Sequence, residues 1–138
     1  LMKLQRSGVI LNMSSSAGRY GCPLRSPYVA SKWAAIGLAQ TWAMELGPWN
    51  IRVNVLCPGS VGGERIERVI QRDAEERGVS AEDIRTVYQR QSSLRDFASA
   101  EDIAAMVCFL SGPGGRMVSG QTIGIDGHTE SLANWLDP

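Results

Sequence analysis

Tyr28 and Lys32 stand four residues apart, and Ser15 lies thirteen residues before the tyrosine. On an α-helix, positions i and i+4 share one face, so this spacing lets the Lys32 ammonium and the Tyr28 phenol reach one pocket. The chemistry that pairing suits is proton transfer. A free phenol titrates near about pH 10 and is a poor base at neutrality, whereas a permanent cation beside it favours the phenolate. Taken alone, Tyr-x-x-x-Lys arises often by chance. Tyr28 then reads as a first-turn aromatic, Lys32 as a solvated helix residue, and Ser14-Ser15-Ser16 as a polar turn.

These side chains need elements to position them. Gly8 to Ser14 is an apolar run that predicts a buried strand of a parallel sheet. Ser15 would then sit at the strand's C-terminal end, where open α/β sheets bind ligands. A loop rich in Gly, Pro and Ser follows from Gly18 to Pro27, with Ser26 as a helix N-cap and Pro27 as the first helical residue. From Tyr28 to Leu46, Ala35, Ile36, Ala39, Trp42, Ala43 and Leu46 recur at helical spacing, and Gly47-Pro48 stops the helix. Ile51 to Cys57 reads as the next strand, broken by Pro58-Gly59. A strand, helix, strand order of this length implies a right-handed crossover and a parallel pair.

Residues 64 to 90 carry two weakly amphipathic helical patterns separated near Gly78-Val79-Ser80. Ser99-Ala-Glu-Asp102 is a capping-box start leading into the apolar-faced helix Ile103 to Leu110, and Thr122 to Ile125 is a short final strand. Leu1 to Arg6 reads as the tail of a helix.

Composition narrows the classes of function. The 138 residues make one domain at most, 43% hydrophobic, with Lys plus Arg equal to Asp plus Glu. A net charge of zero offers no basic face for nucleic acid. Apolar runs are too short for a membrane span, and the first residues lack the layout of a signal peptide, so a cytoplasmic location is expected. Cys22, Cys57 and Cys108 lack a Cys-x-x-Cys pair or nearby histidine, which argues against zinc and against a disulfide framework. Cys57 and Cys108 are expected to be small core residues. His128 is the lone histidine, and no nucleophile elbow accompanies it.

Four segments now fall in a recognisable order: Asn12-Met-Ser-Ser15 with Ala17-Gly18, Tyr28-Val-Ala-Ser-Lys32, Asn54-Val-Leu-Cys-Pro58-Gly59-Ser-Val61, and Ser119 to Asp126-Gly127. Together they resemble the second half of a short-chain dehydrogenase/reductase, from about Gly8 to Gly127. The resemblance implies a Rossmann-like, doubly wound parallel α/β sheet, of which this chain, residues 1 to 138, is the C-terminal catalytic part. Hydride exchange between NAD or NADP and a carbonyl or secondary alcohol is the reaction implied. By resemblance, Ser15, Tyr28 and Lys32 are catalytic: Ser15 holds the substrate oxygen, Tyr28 transfers the proton, and Lys32 supports the tyrosine and binds the nicotinamide ribose. Pro58, Gly59 and Val61, with Tyr28 and Lys32, face the cofactor. Asn12 and Asn54 are supporting residues. No metal is implied, and the expected partners are a small carbonyl or alcohol substrate and further copies of the chain, as a tetramer or dimer. Trp33 and Trp42 are candidate interface anchors, or else core.

Three departures matter. Gly63 stands where family members often carry a threonine, so that hydroxyl contact would be missing or supplied by Ser60 or water. His128 replaces the last glycine of a closing Asp-Gly-Gly, as an exposed tail residue. Residues 64 to 97 occupy the place of the family's substrate lid; there Arg65, Arg68 and Arg72 either meet a carboxylate or phosphate substrate or form a solvated face with the interleaved acids. No strand leads into a Gly-rich phosphate turn, and the determinant separating NAD from NADP is absent, so the dinucleotide-binding half is expected to be missing. Its absence would leave the sheet with an unpaired inner edge. The competing expectations are a non-catalytic fragment or assembly module, and a relative that keeps the fold but not redox turnover.

Overall fold

The computed structural model describes residues 1–133. Three parallel strands form one sheet in the order β1 (Gly8–Met13), β2 (Ile51–Pro58), β3 (Thr122–Ile125). β1 runs against β2 from Gly8 opposite Ile51 to Met13 opposite Leu56, and β2 against β3 from Val55 opposite Thr122 to Pro58 opposite Ile125. Among the described residues, β1 pairs with β2 alone.

A short helix, α1 (Met2–Gln5), precedes β1, and the long α2 (Ser26–Leu46) links β1 to β2. Ala39, Val53, Val55 and Cys57 form a buried cluster on which Ile36, Trp42, Ala43 and Leu46 pack. The helical spacing read from the sequence is therefore the face that meets β2. Each large aliphatic side chain buried in this way stabilises the fold by about 1.5–3 kcal/mol. The helix begins one residue earlier than Ser26 as a cap would imply: Arg25 is the N-cap without a side-chain bond, and Ser26 lies within the first turn. Trp33 and Trp42 part company, with Trp33 52% exposed and Trp42 on the core.

Two helices, α3 (Glu64–Arg77) and α4 (Ala81–Gln89), fill the segment expected as the lid and break at Gly78 in a left-handed turn, φ 67°. Their amphipathicity is stronger than the sequence suggested, for Ile66, Ile70 and Ala74 face Ile84 and Tyr88 in a core of their own. Arg85 closes the pair with two bonds to Glu67, at 2.8 and 2.5 Å.

The capping box opens α5 (Ala100–Ser111): Ser99 Oγ accepts from the Asp102 amide at 3.0 Å while Asp102 Oδ2 accepts from the Ser99 amide at 2.8 Å. Arg52 of β2 donates to the carbonyl of Leu110 in the last turn of α5 at 2.6 Å and to that of Gly115 in the turn beyond it at 2.8 Å, a cation placed at the helix's C-terminal end. Cys108 departs from expectation: it is exposed, because Leu110 is the α5 side chain that turns fully inward. No helix among the described residues is long and apolar enough to cross a membrane.

Candidate functional site

The C-terminal ends of β1 and β2 open onto one cavity of about 490 Å³. Ser14, Ser15 and Tyr28 line it on one side and the run from Pro58 to Ile66, with Val69, on the other. This is the sheet edge at which parallel α/β folds bind ligands.

Each side chain reaches the cavity for a local reason. β1 ends at Met13, and Ser15 caps the 3₁₀ turn Ser16–Gly18 by accepting from the Ala17 amide at 3.2 Å. Of the three serines, Ser14 and Ser16 are buried and Ser15 is half-buried. Ser14 Oγ is already committed, donating to the Lys32 carbonyl at 2.8 Å. Tyr28 sits in the second position after Ser26 and is 39% exposed.

Lys32 shares the helix face of Tyr28 but stops short of the cavity. Its Nζ donates to the Met13 carbonyl at 3.2 Å and lies 5.5 Å from the centre of the Tyr28 ring, and the residue is not part of the cavity wall. The cation thus stands against the ring at the end of β1, positioned by the last carbonyl of that strand.

The opposite wall is the turn after β2. Val61 pairs with Ala98, Gly62 N donates to the Ala98 carbonyl at 2.8 Å, and Ala98 N donates to the Ser60 carbonyl at 3.0 Å, which clips both ends of the α3–α4 segment together. Pro58, Gly59 and Val61 all line the cavity. Gly59 has a reason beyond ligand approach: a Cβ there would lie 2.9 Å from Asp126 Cβ. Gly63 adopts φ 126°, a conformation that side-chain-bearing residues rarely take, so a threonine does not fit this backbone unchanged. Ser60 contributes a hydroxyl-bearing side chain to the same wall.

The supporting residues are clear for one asparagine. Asn54 is fully buried; its amide donates to the Val118 carbonyl at 2.9 Å and its oxygen accepts from Gln121 N at 3.0 Å, fixing the approach to β3. Asn12 lies in β1 opposite Val55. Burial pushes the Cys57 thiol above its usual value, against smaller opposing effects of Ser14, the Ser15 backbone and Arg19. His128 is exposed, as expected, and occupies the left-handed region at φ 65°, the conformation a glycine adopts without cost. Its Nδ1 lies 3.0 Å from Ser93 Oγ. In the lid segment Arg72 pairs with Glu76 at 3.6 Å in solvent, while Arg65 belongs to the cavity wall.

A parallel α/β sheet with a serine, a tyrosine and a glycine-containing turn at its C-terminal edge defines a Rossmann-like protein. The sequence pattern described as enoyl-(acyl carrier protein) reductase matches residues 1–128, and the chain belongs to the short-chain dehydrogenase/reductase family. It is 38% identical over 123 residues to 3-oxoacyl-(acyl-carrier-protein) reductase of Thermotoga maritima, covering 89% of this chain and 46% of that protein. With D-beta-hydroxybutyrate dehydrogenase of Rhizobium meliloti it shares 32% over 127 residues, covering 91% and 49%. Among solved structures, NAD+-bound xylitol dehydrogenase superposes with TM-score 0.80 at 30% identity, covering 90% of this chain and 50% of that one. Actinorhodin polyketide ketoreductase with NADPH gives TM-score 0.84 at 28% identity, covering 97% and 50%. The chain therefore spans about half the length of the relatives it matches.

Proposed function

We propose that this chain is the C-terminal catalytic part of a Rossmann-like oxidoreductase that exchanges a hydride between NAD or NADP and a small carbonyl or secondary alcohol. The observation that carries this reading is that Ser15 and Tyr28 face the turn from Pro58 to Gly63 across one cavity. Relatives with NAD+ and with NADPH bound support the cofactor assignment.

The residues present fit the nicotinamide end of such a cofactor. Gly59, Gly62 and Gly63 give the wall little side-chain bulk, and Pro58 and Val61 are apolar surfaces beside them. When bound, the dinucleotide supplies the hydride. Ser15 Oγ holds the substrate oxygen by a hydrogen bond, and the Tyr28 hydroxyl gives that oxygen a proton in reduction or takes one in oxidation. Lys32, held by the Met13 carbonyl, places its positive charge against the Tyr28 ring, and would bind the nicotinamide ribose of the cofactor. Residues 64–97 close over the substrate as its lid, and the protein works as a homo-oligomer in the cytoplasm.

The test is the intact mass of the purified protein, followed by titration with NADH and with NADPH read by nicotinamide fluorescence. A mass near twice the 15.0 kDa of this chain with saturable binding supports the reading. A 15.0 kDa species that binds neither cofactor overturns it in favour of a non-catalytic fragment or assembly module.

A further inference from the structure

Asp126, immediately after β3, is a nearly buried carboxylate in an ion pair, its side chain 8% accessible. Oδ2 accepts from Thr129 Oγ1 at 2.7 Å and Oδ1 from the His128 amide at 3.2 Å. These bonds hold the carboxylate in one orientation. Arg19 approaches the same oxygen as Thr129, with Nη1 3.8 Å from Oδ2 and the guanidinium 5.7 Å from the Tyr20 ring centre.

Two glycines make room for this arrangement. A Cβ on Gly124 would lie 2.6 Å from Arg19 Nη1, so the arginine crosses β3 where no side chain intervenes. A Cβ on Gly59 would lie 2.9 Å from Asp126 Cβ, and Gly59 N donates to the Ile125 carbonyl at 3.1 Å. Arg19 directly follows the 3₁₀ turn that Ser15 caps, and Gly59 belongs to the opposite cavity wall. One carboxylate thus joins the two walls from behind the cavity, without lining it.

We infer that Asp126 is a positioning residue: through Arg19 it sets the turn that presents Ser15, and through the packing of its Cα and Cβ on Gly59, whose N–H is held by the neighbouring Ile125 carbonyl, it sets the turn opposite, fixing the gap across which substrate oxygen and cofactor meet. This rests on the reading of Ser15 and Tyr28 as the chemical centre. A burial requirement alone does not account for a charged pair crossing a glycine. Burying the Asp126 carboxylate is unfavourable unless it is paired and hydrogen-bonded, and an apolar side chain would fill that space at less cost.

The test uses the intact protein carrying this sequence, with Asp126→Asn, Arg19→Met, Arg19→Lys and Gly124→Ala. Amide hydrogen exchange is followed in peptides covering residues 14–20 and 58–63, with 66–76 of α3 as the internal reference. Asp126→Asn, Arg19→Met and Gly124→Ala are expected to speed exchange in the 14–20 and 58–63 peptides together while the reference is unchanged, and Arg19→Lys to restore much of the protection. Exchange unchanged in the 14–20 peptide, or faster everywhere at once, overturns the inference. In parallel, reduction of ethyl acetoacetate with NADH and NADPH separates kcat from KM: Asp126→Asn should lower kcat at least tenfold with the cofactor KM nearly constant. An unaltered kcat also overturns it. A wild-type protein without turnover counts against the proposed reaction, whereas the exchange measurement still decides the tie between the two walls. Should Asp126→Asn fail to fold, Arg19→Met reads the same tie from its more exposed end.

Discussion

Ser14 Oγ donates to the backbone carbonyl of Lys32 at 2.8 Å, so the residue before the proposed catalytic serine grips the helix that carries the tyrosine and lysine. The grip depends on Gly18, where a Cβ would lie 2.4 Å from Ser14 Oγ and 2.9 Å from the Lys32 carbonyl oxygen. That small residue lets the turn after β1 lie flush against α2, and the spacing between Ser15 and Tyr28 becomes a spatial relation.

Gly18→Ala in the intact protein therefore has to part the turn from the helix. Because the nearest obstacle includes backbone, the cost falls in the range for overpacking, about 1–3 kcal/mol. The midpoint of urea unfolding measures it, and turnover should fall more than stability alone explains. A midpoint equal to wild type contradicts the close packing.

Tyr28→Phe keeps the ring, and with it the Lys32 contact, but removes the only group on that residue able to move a proton. Turnover is expected to disappear while nicotinamide fluorescence titration gives nearly the wild-type affinity. Unchanged turnover would sink the assignment of Tyr28 as acid and base.

Asn54 is fully buried with both ends of its amide engaged. In Asn54→Ala the Val118 carbonyl and the Gln121 amide lose their side-chain partner inside the protein, at about 1–3 kcal/mol for each group left unsatisfied. Chemical denaturation should show this as a lower midpoint, with Asn54→Asp tolerated less well than Asn54→Gln because it also buries a charge. Equal stability of Asn54→Ala and wild type contradicts the bracing role.

The strands and helices were legible because periodicity and punctuation are local. Pro58-Gly59 closes β2, Gly78 divides α3 from α4, and Ser99 with Asp102 opens α5, each within a few residues of its cause. Ser15, Tyr28 and the Pro58–Val61 turn were legible through their order and spacing, and they line one cavity. What escaped the sequence depends on contacts between distant segments. Arg19 lies within the loop that follows β1, and nothing local to it marks Asp126, more than a hundred residues on, as its partner. Cys108 shares an apolar run with Leu110, yet which of them turns inward is settled by the face the helix turns to the rest of the fold. The outward Trp33 and inward Trp42 of α2 differ for the same reason.

A last prediction concerns acid. The Ser99 backbone amide, and then its hydroxyl, hold the Asp102 carboxyl below the ordinary carboxylate range. A group whose folded value is depressed contributes stability that is fully present above its unfolded value and is lost as pH falls through the folded one. Asp102 therefore supports the α5 cap above about pH 4, the ordinary aspartate value, and ceases to do so below it. Glu67 behaves likewise, lowered by its bonds to Arg85, so wild-type stability alone does not separate the two. Comparing wild type with Asp102→Asn in urea does. The wild type should be the more stable at neutral pH, and the gap should close as pH falls from about 4 towards about 2. Asparagine has no proton to gain there, whereas the aspartate loses the charge that the Ser99 donors favour. A gap that stays constant across that window would mean that the Ser99 bonds do not depend on the charge, and that the cap is held by helix packing instead.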